Sequence, residues 1–143
     1  MMSHRPRIVV DTNVIFEGLT KQGGACGLIV EAWLAGLFVP CVSNATAYEY
    51  LDVLIRKLSP PRWEATHLLF QELLNTAEFV TVYYRWRPIS KDPGDDHIID
   101  CAMNAGAVVV TSNIKDFKLA ESQLGLQIMT PLDFVLYLSR NTP

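Results

Sequence analysis

Five short runs rich in β-branched residues, each parted from the next by a longer stretch of helical character, limit this chain to few architectures. The runs cover residues 8–10, 38–42, 79–84, 107–111 and 127–129. Strands that alternate with helices require crossover connections, so the expectation is an α/β fold: a mostly parallel sheet of about five strands with helices on both faces. The central runs, Ile8-Val9-Val10 and Val108-Val109-Val110, are continuously apolar, as strands covered on both sides should be.

The intervening segments carry helical spacing. Residues 25–36 place Ile29, Ala32 and Trp33 on one side, with Gly36 as a stop. Ser43 or Asn44 can cap a second helix whose buried stripe is Ala47, Leu51, Leu54, Ile55 and Leu58. Pro60-Pro61 ends it, and a third follows through Trp63, Phe70, Leu73, Leu74 and Ala77. A turn at 91–94 leads to a helix over 95–105, and Pro131 opens a closing helix through Phe134, Tyr137 and Leu138. No repeat, low-complexity tract or linker divides the 143 residues, which predicts one domain over 1–143.

Cys26, Cys41 and Cys101 are odd in number and widely spaced, so neither a disulfide framework nor a zinc site is indicated, and a cytoplasmic setting is expected. The N-terminus has no apolar leader. The longest apolar stretch, Cys26 to Val42, is broken by Glu31, two glycines and Pro40, so no membrane span is expected.

In sheets of this kind sites form beyond the carboxyl ends of the strands, and four acids fall there. Asp11 follows the first strand directly. Glu49 lies in the second turn of the helix leaving the second strand, Asp95 opens the helix feeding the fourth, and Asp116 lies just beyond that strand. Converging carboxylates repel unless a cation sits among them, and an all-oxygen set suits Mg²⁺ or Mn²⁺. The net charge of −3 is unusual for a nucleic-acid binder. If these four acids hold metal, however, the other 11 of the 15 acids face 12 Lys and Arg, which leaves +1.

Each acid also has a plainer reading. Asp11 reads equally as a cap, although Thr12 and Asn13 are available for capping. Glu49 has no basic neighbour along its helix, whereas Asp52 has Arg56, a pair read as structural. Asp95 shares the inward stripe of Ile98, Ile99 and Ala102 and is the preferred ligand. Asp96 lines up with Asp100 and is held in reserve. Asp116 reads equally as a cap, and Asn113 suits orienting water better than holding charge. His97 reads as helix surface, and His4 and His67 carry no signal.

Val9-Val10-Asp11-Thr12-Asn13-Val14, Glu49-Tyr50-Leu51, Asp92-Pro93-Gly94-Asp95-Asp96 with Ala102 and Gly106-Ala107, and Val110-Thr111-Ser112-Asn113 through Asp116-Phe117 occur in that order. In this they resemble PIN domains, most closely those that are toxin components of toxin–antitoxin pairs. The resemblance runs from about Arg7 to Phe134. It implies a PIN-like three-layer sandwich and a metal-dependent ribonuclease, often dimeric and often held inactive by an antitoxin. It also implies acidic ligands at Asp11, Glu49 and Asp95. The fourth ligand position departs from many members, with Asn113 where they carry an acid and Asp116 three residues later.

The expected chemistry is hydrolysis of RNA at divalent metal held by Asp11, Asp95 and Glu49, with Asp116 and Asn113 supporting a second ion. Thr12, Asn13 and Ser112 are candidates for hydrogen bonds that fix the ligands. Arg85, Arg87, Lys91, Lys115 and Lys118 are candidates for contacts to the RNA backbone, and Trp86 for stacking on a base. One competing reading is a phosphatase or phospho-acceptor using Asp11 as nucleophile. It is disfavoured because Asn13 stands where such phosphatases need an acid. The other is a PIN-fold binding module that docks a partner protein through its closing helix.

Overall fold

Arg7–Val10 (β1) is the middle strand of five, flanked on one side by Val39–Val42 (β2) and Glu78–Phe79 (β3). On the other side lie Val108–Val110 (β4) and Ile128–Met129 (β5), giving the order β3-β2-β1-β4-β5. Every pairing is parallel, with Val9 opposite Val109 and Val10 opposite Val110 at the centre. This computed structural model describes residues 5–21, 23–86 and 92–141. The helices among them are Thr12–Thr20 (α1), Gly24–Leu34 (α2), Asn44–Lys57 (α3), Pro60–Thr76 (α4), Pro93–Ala105 (α5), Lys118–Leu124 (α6) and Pro131–Asn141 (α7). The α/β expectation is met, and the sheet is wholly rather than mostly parallel.

Alternate residues of each strand feed separate cores, because successive side chains of a strand point to opposite faces. Ile8, Val10, Val42 and Val110 face α1, α2, α3, α4 and α7, where Trp33, Phe38, Tyr50, Phe70 and Phe134 fill the layer. Val9, Cys41 and Val109 face Ile98, Ile99, Cys101 and Ala102 of α5 and Ala120 of α6. Trp33 satisfies its indole within the first core by donating from Nε1 to Leu73 O and Thr76 Oγ1, both at 3.0 Å.

Four local expectations are corrected. Helix α1 was not anticipated. It is only nine residues long and follows β1 with Asp11 alone between them, so it offers a short window in which to see a helical repeat. The strand expected over 79–84 is only Glu78–Phe79. Beyond Val80, the N–H groups of Tyr83 and Tyr84 go to Asn104 Oδ1 and that of Trp86 to Asp100 Oδ1, so α5 takes the bonds a neighbouring strand would have taken. Ile55, assigned to the buried stripe, is 54% exposed. Helix α5 starts at Pro93 rather than Asp95, because Asp92 accepts from Gly94 N and caps it. Pro60 and Pro61 open α4 behind the Ser59 cap, the position where a missing N–H costs nothing.

Candidate functional site

At the carboxyl edge of β1 the chain turns at once into α1, and Asp11 is the turning point. Its Oδ1 accepts from Thr12 N at 2.8 Å, so Asp11 itself takes the capping role for which Thr12 and Asn13 were also available. Its Oδ2 accepts from Thr111 Oγ1 at 2.7 Å, across to the end of β4. The residue is 5% exposed. Burial pushes its carboxyl above the usual range, the bonds from Thr111 and Thr12 pull it back, and the charges of Asp116 and Asp92 push it further up.

A cleft of about 320 Å³ opens over Asp11. Thr12, Asn13, Glu49, Asp92, Gly94 and Asp95 line it with Asp11, together with Asp52, Val53, Arg56 and Lys57 of α3. Three of the four expected acids, Asp11, Glu49 and Asp95, therefore border one space. Asp116 does not line it. It is exposed on the 3-10 turn Ile114–Phe117 and reaches Asp11 only through its field.

Asp92 lines the cleft but had been read only as part of a turn, and its position before Pro93 is the signal that it caps a helix. Space for a β-carbon at Gly94 lies 3.4 Å from Asp92 Oδ1 and 3.5 Å from Glu49 Oε1, so both acids approach the same backbone. Tyr50 was also missed. Buried beside Glu49, it donates its hydroxyl to Val10 O, immediately before Asp11.

Helix α5 reverses the expected burial of its acids. Asp96 and Asp100 are buried and Asp95 is half-buried, because the segment over 81–86 covers a flank that the apolar stripe alone left open. His97 is not helix surface: it is half-buried, and its Nδ1 is enclosed without a hydrogen-bond partner.

Ser112 lines a different cleft, with Thr130, Pro131 and Leu132. Asn113 is exposed and donates its N–H to Thr111 Oγ1 at 2.9 Å, which fixes the hydroxyl that holds Asp11. Arg85 borders a third cleft, with Ser43, Asn44 and His97. Lys115 and Lys118 are exposed, and Lys118 pairs with Glu121 at 3.6 Å. Trp86 is half-buried with its ring 4.6 Å from that of Tyr84. Arg87 and Lys91 lie outside the described residues, as does His4.

The donor set of the cleft is all oxygen, the chemistry of a hard divalent cation. Among the described residues no three of these acids stand close enough to hold an ion together. Among the described residues Glu49 has no hydrogen bond or ion pair to restrain it, whereas Asp11 is fixed by two, so Glu49 is the side chain that would move toward an ion on Asp11. The set fits the group once that side chain swings.

Among the described residues no helix is long and apolar enough to cross a membrane. No curated protein matches the sequence significantly. Several solved structures share the fold. VapBC2 from Rickettsia felis bound to a promoter DNA fragment aligns with TM-score 0.63 and 16% identity over 87% of this chain and 98% of that one. VapBC-1 from nontypeable Haemophilus influenzae aligns with TM-score 0.58 and 16% identity, covering 88% and 98%. FitAcB from Neisseria gonorrhoeae aligns with TM-score 0.58 and 15% identity, covering 87% and 98%. The family model of the PIN domain matches residues 7–115, which span β1, the acidic cleft and β4, and the chain therefore belongs to the PIN domain family.

Proposed function

We propose that this protein is a divalent-metal-dependent endoribonuclease, a cytoplasmic toxin of a toxin–antitoxin pair that works as a homodimer. The observation that carries the nuclease reading is the meeting of Asp11, Glu49, Asp92 and Asp95, from three separate segments, in one cleft at the carboxyl edge of a parallel sheet. Clustered acids around a buried carboxylate that burial already penalises make a site built to receive a cation. The toxin reading, with a protein antitoxin as partner, draws on the likeness to VapBC and FitAcB.

Asp11 is the anchoring ligand, held at both oxygens. Glu49 and Asp95, on α3 and α5, would hold the ion with Asp11, and Asp92 would add charge from the cap of α5. Mg²⁺ or Mn²⁺ bound there would supply Lewis acidity for a phosphodiester and a water. Glu49 would be the group placed to accept a proton. Asp116 supports the leaving side with Asn113, and Thr12 and Asn13 border the substrate.

The test is RNA cleavage by wild type, Asp11→Asn and Asp95→Asn with Mg²⁺, with Mn²⁺ and with EDTA. Cleavage that needs the metal and disappears in both variants supports the reading. A wild type that cuts no RNA under any of these conditions removes it and leaves a protein-docking module.

A further inference from the structure

We propose that Arg56 and Lys57, on the last turn of α3, form a phosphate-binding rim that holds the RNA backbone beside the bond being cut. The proposal rests on the nuclease reading and names the residues that bring its substrate to the cleft. Among the described residues these two are the only cations lining it, and they face five carboxylates, Asp11, Glu49, Asp52, Asp92 and Asp95. A polyanion cannot approach so acidic a surface without positive charge at its entrance.

Both side chains are available for that task. Arg56 makes one ion pair, from Nε to Asp52 Oδ2 at 3.3 Å, and the side chain is 60% exposed. Among the described residues Lys57 has no carboxylate partner, and it lies over the Phe16 ring of α1, 5.2 Å from its centre. Cations serving only to neutralise the ligands would sit on them, yet neither pairs with Asp11 or Glu49. Basic residues also complement the carbonyl end of a helix. The dipole, however, is indifferent to which side of the helix carries the charge, and these two face the cleft.

Position gives the rim its role. Arg56 follows Glu49 by two helical turns on the same side of α3, about 10 Å along the axis. A strand whose scissile phosphate lies at Glu49 therefore passes Arg56 with a flanking part of its backbone, and Lys57 extends the rim to where α3 meets α1 at Phe16. Of the other basic candidates among the described residues, Arg85 borders a separate cleft, Lys115 does not line this one, and Lys118 is paired with Glu121.

Cleavage kinetics of wild type, Arg56→Gln/Lys57→Gln and Arg56→Lys/Lys57→Arg on single-stranded RNA test the proposal. A dinucleotide, a long oligomer and a range of salt concentrations are compared, with the Mn²⁺-induced Tm shift measured in parallel. The expected result for the Gln pair is a KM raised about tenfold or more on the long RNA, with a salt slope shallower by about 0.7 per lost cation. Its kcat, its dinucleotide cleavage and its Mn²⁺ shift stay as in wild type, and the Lys/Arg exchange restores KM. Wild-type KM and salt slope in the Gln pair overturn the rim and leave the nuclease standing. Loss of the Mn²⁺ shift also overturns it, by showing that the cations serve the metal site. A wild type that cuts no RNA overturns both readings together.

Discussion

Thr111 and Asp11 stand a hundred residues apart and are joined by a 2.7 Å hydrogen bond from Thr111 Oγ1 to Asp11 Oδ2, which ties the ends of β4 and β1. The same hydroxyl accepts from Asn113 N, so its proton is directed at the carboxylate. Thr111→Val keeps the shape and removes the donor. The expected cost is about 1–3 kcal/mol in urea unfolding, the range for a lost bond to a buried charge. A metal-dependent cleavage rate lower by about 10–100-fold should accompany it. Unchanged cleavage in this variant would show that Asp11 needs no such brace.

Asp11→Asn should make the metal-free protein more stable at neutral pH. Burial holds the Asp11 carboxyl above its usual value in the folded state, so ionisation favours unfolding. The stability this group contributes is complete below the unfolded value near 3.8 and is lost as pH rises through the higher folded value. Tm measured against pH in EDTA should therefore show the variant above wild type at pH 7, with the gap closing toward acid. Added Mn²⁺ should raise the wild-type Tm and leave the variant's unmoved.

Asp92 has two jobs that two substitutions separate. Asp92→Asn keeps an acceptor for Gly94 N and removes the charge, so it should weaken Mn²⁺ binding with little change in unfolding. Asp92→Ala removes the cap as well and should cost a further ~1 kcal/mol. Equal stability of the two variants would mean that the cap contributes nothing.

Gly18 lies where α1 crosses α2, and a β-carbon there would stand 2.6 Å from both Cys26 O and Val30 Cγ2. The carbonyl cannot yield without moving its helix. Gly18→Ala should therefore destabilise the fold by about 1–3 kcal/mol in urea titration, as overpacking does.

Arg7 of β1 ties down two further elements: its Nε donates to Ala105 O at 2.8 Å, and its outer nitrogens grip Glu78 at the start of β3. That hydrogen bond holds the Glu78 carboxyl below its usual value. The stabilisation is present above the unfolded value near 4.5 and is lost as pH falls through the lower folded one. Glu78→Gln should be less stable than wild type at pH 7 by under ~1 kcal/mol, since the pair is exposed. The two unfolding curves should converge in acid.

The sheet was legible because its central strands are runs of Ile and Val with nowhere to go but inside. The first helix was not, because its nine residues follow β1 with only Asp11 between and give a helical repeat little length in which to show itself. The acids at 11, 49 and 95 could be found from their places after strands and at helix starts. Tyr50, Thr111 and Asp92 could not be told from ordinary core and turn residues, since what they do depends on partners far away in sequence. For Asp95 and Asp96, helical periodicity alone misjudged burial: it knows nothing of a loop that folds back over the helix, as 81–86 does through Asp100 and Asn104.

The side-by-side register of the first and fourth strands has a consequence for how the protein is made. No nascent chain carries a finished acidic cleft, because one of its walls waits for a neighbour synthesised a hundred residues later. Parallel pairings so distant in sequence form late, after long loops have closed. The ribosome must therefore have passed the fourth strand before any copy holds this centre in its finished form.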